Sequence, residues 1–207
     1  MMAQRSAEEL QFLQDIKTYF KDRIWLLAAM PVRESGKPDW VLVLSDWVVD
    51  KEVEFYNDTL DEGNLCGFCD GKEEFLEMDP FYLVELATTA DIVIGNPAAV
   101  LDLIGTGALR EEISREVASV TKDLEYNLWE GQDISLLVEN LEHTKLILDA
   151  IALYLTRMGE ADQNRAKTEI PPLKSGIDST VARIKQGETV DLPHLCRCLA
   201  AWLKEWA

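Results

Sequence analysis

Apolar residues near the start of the chain recur at helical spacing. Leu10, Leu13, Ile16, Phe20, Ile24 and Leu27 fall three or four positions apart, which predicts one helix over about 7–30, ended by Pro31. Lys37-Pro38-Asp39 reads as a second helix start, with proline in the first turn and an acid beside it. The residues that follow, Trp40 to Leu44, are β-branched and aromatic, so a short β element near 40–44 is the competing reading.

Later boundaries are marked by capping chemistry. Asp79-Pro80 predicts a helix N-terminus with Gly95 at its C-terminal cap, and Asn96-Pro97 repeats the device up to Gly105. Beyond it, Leu109, Ile113, Val117, Val120, Leu124 and Leu128 form one apolar stripe. After Gly131-Gln132-Asp133, residues Ile134, Leu137, Leu141, Leu148, Ile151 and Leu155 form another, reaching Gly159. Two long amphipathic helices with so short a connection predict an antiparallel pair in a helical bundle.

From 159 to 176 the periodicity lapses into polar residues and Ile170-Pro171-Pro172, which reads as a linker or mobile loop. A short helix over about 178–185 and a last one over about 193–206 follow, the latter striped by Leu195, Leu199, Trp202 and Trp206. The expectation is a mainly α protein, an antiparallel bundle of about six to seven helices. Its domain spans 1–158, its linker 159–176, and its C-terminal segment, 177–207, docks on the bundle or on a partner.

Charge changes this picture more than length or composition does. Of 207 residues 20 are basic and 38 acidic, for a net charge of −18. Between Ser45 and Pro80 twelve carboxylates face only Lys51 and Lys72, whereas from Arg165 onward seven basic residues meet five acidic ones. Acids at that density repel one another unless water or a basic partner neutralises them. Direct binding of nucleic acid or of an anionic membrane is disfavoured, because both need clustered Lys and Arg. The N-terminus has no signal-peptide pattern, and the longest apolar run, 24–32, is about half a membrane span. A soluble, cytoplasmic protein is expected, with its four cysteines reduced or metal-bound.

Candidate chemistry is sparse. Cys66-Gly67-Phe68-Cys69 has the spacing of a zinc knuckle, but the only further candidates are His194, Cys196 and Cys198, and on a helix the last two diverge. An EF-hand register starting at Asp58 fails at Leu60 and Cys69. Asn96-Pro97 lacks the second proline and aromatic of an adenine methyltransferase motif and reads as a helix boundary. His143, beside Glu139 and Glu142, reads as a surface helix residue.

What remains is recognition: tryptophans near acids suit a basic, partly apolar partner. The sequence therefore predicts a non-enzymatic acidic adaptor, chaperone or inhibitor that docks on a basic protein surface, one version being mimicry of nucleic-acid charge on a nucleic-acid-binding protein. The docking residues are Asp46, Trp47, Asp50, Glu52, Glu54, Asp58, Asp61, Glu62, Glu73, Glu74 and Glu77. No cofactor is required. The alternatives are a small module in which Cys66 and Cys69 hold zinc, and a carboxylate enzyme using a divalent ion. Self-association would run through the C-terminal helix.

Overall fold

The computed structural model describes residues 5–31, 39–63, 66–129 and 134–207, without the side chains at 61–63, 66, 68 and 126–129. The chain divides into two compact units, Met1–Leu103 and Ile104–Ala207. The described residues are mainly helical, with one small mixed sheet. The boundary thus falls at 103/104, well before the expected one at 158.

In the first unit α1 (Ala7–Phe20) starts at a capping box, with Ser6 and Glu9 each accepting the other's backbone N–H. It stops ten residues short of the predicted end. Lys21, at φ 51°, caps the helix, a 3₁₀ turn follows over Lys21–Arg23, and the chain enters strand β1 (Ile24–Ala29). The expected helix over 7–30 is therefore a helix and a strand. Ile24 and Leu27 continue the helical spacing by coincidence, while the run Ile24 to Ala29 is the continuous apolar stretch of a strand buried on both faces.

Residues 39–44, for which a helix was the first expectation, form β2 (Asp39–Leu44). Trp40, Leu42 and Leu44 lie on one face of the sheet and Val41 and Val43 on the other, all buried, so no polar alternation betrays the strand. α2 (Asp50–Gly63) crosses over to β3 (Cys66–Gly71), which pairs parallel to β2. The short α3 (Lys72–Phe75), α4 (Pro80–Thr89), β4 (Asp91–Ile94) and α5 (Pro97–Leu103) complete the unit. Sheet order is β3-β2-β1-β4, with β1 antiparallel to both neighbours. Asp79 caps α4 as expected, accepting the Phe81 N–H at 2.7 Å, but residues 91–94 join β1 rather than extending the helix to Gly95.

α1 and α2 cover one face of the sheet. Phe12, Leu13, Ile16 and Phe20 meet Ile24, Leu27, Trp40, Leu42, Leu44, Tyr56 and Leu60 in one core. Each such side chain contributes about 1.5–3 kcal/mol by leaving water. Gly67 on β3 lies where the Tyr56 hydroxyl donates to the Trp40 carbonyl at 2.9 Å, and a Cβ there would sit 2.2 Å from that carbonyl oxygen. Only glycine fits.

The second unit is built from α6 (Thr106–Trp129), α7 (Ile134–Thr156), α8 (Glu160–Thr168), α9 (Ile170–Lys185) and α10 (Leu192–Leu203). α7 packs on α6, α8 and α9, and α10 packs on α6 and α9. Both predicted stripes face inward, from Leu109 to Leu124 and from Leu137 to Leu155, except that Ile134 is exposed. The expected linker, 159–176, is helical. Its polar residues are ordinary surface helix formers, and Pro171 and Pro172 fall in the first turn of α9, where a missing N–H breaks no bond. Trp206 is buried, with the Arg110 and Arg165 guanidinium groups 5.8 and 5.9 Å from its ring centroid, and its carbonyl accepts from Arg110 at 2.9 Å.

Candidate functional site

Parallel β2 and β3 end side by side, Leu44 opposite Gly71, and the turns beyond them enclose a cavity of about 230 Å³. Its walls are Ser45, Asp46 and Trp47 after β2, and Gly71, Lys72, Glu73 and Glu74 after β3. The carboxyl ends of parallel strands are where open α/β sheets place their ligands, because the crossovers leave a crevice there. The two turns nearly touch: a Cβ at Gly71 would lie 3.0 Å from the Asp46 carbonyl oxygen.

Arg23 organises one wall. Its Nε donates to Asp46 Oδ1 at 2.8 Å, Nη2 donates to the Trp47 carbonyl at 2.9 Å, and the guanidinium forks onto both oxygens of Glu52. Glu52, only 8% exposed, also accepts the Val49 N–H at 3.1 Å. Arg23, as the first cause, holds the Glu52 carboxyl below the usual carboxylate range. These bonds fix the Ser45–Trp47 turn to the first turn of α2 and leave Trp47 standing out, 71% exposed.

The opposite wall carries two carboxyl groups that converge on one donor. The Gly71 N–H points to Asp70 Oδ1 at 2.8 Å and to Glu74 Oε2 at 3.3 Å. Burial, and then the hydrogen bond with Glu74, push the Asp70 carboxyl up to about 6, while Glu74 is held low by the same bond. Lys72 does not neutralise this wall by reaching outward, since its ammonium lies over the Trp25 ring, 5.1 Å from the centroid.

The structure sorts the predicted docking residues into three groups. Asp46, Trp47, Glu73 and Glu74 line the cavity. Asp50, Glu54 and Asp58 form an exposed stripe along α2, and Glu77 is exposed beyond α3. Glu52 is not available to a partner, because its carboxylate is buried on Arg23, a correction to its predicted role. The side chains of Asp61 and Glu62 lie outside the described residues. A second concavity, a groove of about 560 Å³ between α1 and α2, is lined by Asp15, Tyr19, Lys21, Phe55 and Asp58 among others, with Tyr19 and Phe55 stacked at 3.8 Å.

Positions 66 and 69 belong to an extended strand and not to the tight turn of a zinc knuckle, and the Cys66 side chain lies outside the described residues. Cys69 packs against the α1–α2 core, and burial pushes its thiol up to about 12. Among the described residues no three His, Cys, Asp or Glu side chains converge to hold a metal ion. Likewise, among those residues no helix is long and apolar enough to cross a membrane. His143 is not a simple surface residue: its Nε2 meets Glu116 Oε2 on α6 at 2.7 Å.

Sequence reasoning did not find Arg23, Asp70 or the Lys72–Trp25 contact. Arg23 sat inside a predicted helix, and its acidic partners come within reach only once β1 and β2 pair. Set against protein-family models and curated proteins, the chain matches none.

Proposed function

We propose that this protein is a non-enzymatic acidic adaptor or inhibitor that docks on a basic protein surface through the cleft beyond β2 and β3. The observation that carries the reading is Trp47, a large aromatic side chain left 71% exposed at a cavity whose walls present Asp46, Glu73 and Glu74. A cationic side chain from a partner fits there, with its stem on the indole and its charge on the carboxylates. The α2 stripe of Asp50, Glu54 and Asp58 extends the acidic surface along one helix. In its sharper form the reading is charge mimicry, the acids standing where phosphates would lie in a nucleic-acid-binding groove.

Binding of a labelled arginine-rich peptide, followed by anisotropy at about 50 mM and about 300 mM salt, tests the proposal. Affinity should fall steeply with salt, and Trp47→Ala should weaken it about tenfold, as loss of an aromatic anchor does. Glu73→Gln with Glu74→Gln should weaken it severalfold, whereas Glu111→Gln with Glu139→Gln, the same charge change in the second unit, should leave it nearly unchanged. Equal losses from both pairs would reduce the cleft to a share of the net charge and refute the reading.

A further inference from the structure

α10 carries a pair that belongs to neither concavity. His194 and Cys198 lie one turn apart on its exposed side, with Cys198 Sγ 3.7 Å from His194 Nε2. A tetrahedral zinc ion, bonded to sulfur at about 2.3 Å and to nitrogen at about 2.0–2.1 Å, holds those two atoms about 3.6 Å apart. The pair already has the length of one edge of a zinc tetrahedron.

Its surroundings favour a metal over a packing role. Asp191 caps α10, its Oδ1 accepting the His194 N–H at 3.0 Å, which fixes the turn that presents the imidazole. Cys196 is buried and Cys198 exposed, so Cys198 is the thiol that solvent metal meets. No third donor joins the pair among the described residues, which leaves two corners of the tetrahedron to be supplied from outside.

A second copy supplies them. The exposed stripe continues from Cys198 to Ala201, a side chain small enough to let another helix approach. From Arg165 onward the chain carries seven basic and five acidic residues, so this segment brings little net charge of its own to a contact with its copy. We propose that His194 and Cys198 of two chains enclose one zinc ion in a Cys₂His₂ site and join the chains at α10. Each Cys198 thiol loses its proton to solvent as the zinc–sulfur bond forms, and each His194 binds through Nε2 in its neutral form. The site lies within the second unit and does not depend on the docking reading.

The test uses the full chain, kept reduced by a phosphine, stripped of metal and titrated with zinc. Mass is read by light scattering and bound zinc by elemental analysis. The expected result is a doubling of mass, complete at one zinc per two chains, with His194→Ala and Cys198→Ser each preventing the doubling and weakening zinc binding at least tenfold. Both residues are exposed, so neither change empties the core. One zinc per chain on a monomer would overturn the proposal, as would doubling that survives both substitutions, or no zinc held at about micromolar free metal.

Discussion

Removing the Arg23 charge should destabilise the first unit in a way that depends on pH. Arg23→Met keeps the aliphatic stem and deletes the guanidinium that bonds Asp46, the Trp47 carbonyl and Glu52. Glu52, 8% exposed, is then left with the Val49 N–H. Breaking a buried ion pair from one side costs about 3–5 kcal/mol. Because the Arg23 side chain is 34% exposed and water enters the gap, a discounted figure of about 2–3 kcal/mol is appropriate.

The sign of the pH effect follows from the Glu52 carboxyl, which Arg23 holds low. Its contribution is present above the ordinary carboxylate pKa and is lost as pH falls through the lower, folded value. In the variant burial and the Asp46 charge favour the protonated form of Glu52, opposed only by the Val49 N–H. The stability gap between wild type and variant should therefore narrow from pH 7 toward pH 4, and Arg23→Met with Glu52→Gln should recover at least about half of the loss.

The assay is hydrogen exchange in increasing urea, read on peptides from β2 because the two units need not open together. A midpoint drop of roughly 1 M is expected at pH 7. A gap that stays constant with pH, or a double variant no more stable than Arg23→Met, would refute the argument.

Gly67→Ala should lower the melting temperature by at least about 5 °C, since the added Cβ meets the Trp40 carbonyl oxygen at 2.2 Å and the Tyr56 hydroxyl at 2.4 Å. Adding Tyr56→Phe should not rescue it, because the backbone clash remains; an unchanged melting temperature in the single variant would contradict the close approach of β2 and β3. Asp70→Asn probes the converging carboxyl groups. With its folded pKa raised to about 6, Asp70 stabilises most below its unfolded value and loses that contribution as pH rises through about 6. The variant should therefore melt about 2–4 °C above wild type at pH 7.5 and converge with it near pH 4, the gain being under about 1 kcal/mol after solvent screening. A difference independent of pH would sink this assignment.

Features set by neighbours in sequence were legible, and features set by pairing across the chain were not. Asp79 and Asn96 announce α4 and α5 because a cap bonds amides two or three residues away. The stripes of α6 and α7 were visible because each helix keeps a polar outer face. β1 and β2 have no polar face to alternate with, so their runs matched a helix as well as a strand. Two-residue cysteine spacing likewise cannot say whether the chain turns or runs straight between the thiols. Of the candidate site, Asp46, Trp47, Glu73 and Glu74 could be read from charge and aromatic content, but their enclosure of one cavity depends on β2 and β3 running parallel. Glu52 was misassigned for the same reason, its partner lying 29 positions away.

The sheet order also sets a timetable for folding. β1 gains β2 across a short connection, but its other edge waits for β4, with Ala29 pairing Asp91. At about 5–20 residues per second, a ribosome takes roughly 3–12 s to make the sixty or so residues between them. During that interval β1 offers an open apolar edge, the kind of edge that captures other chains. The second unit has a wait of its own, since α6 ends at Trp129 and its partner α10 begins only at Leu192, but a waiting helix has already satisfied its backbone groups internally. What sets β1 apart is that its waiting edge carries unpaired N–H and C=O groups, so crowding on the ribosome would penalise it before a waiting helix.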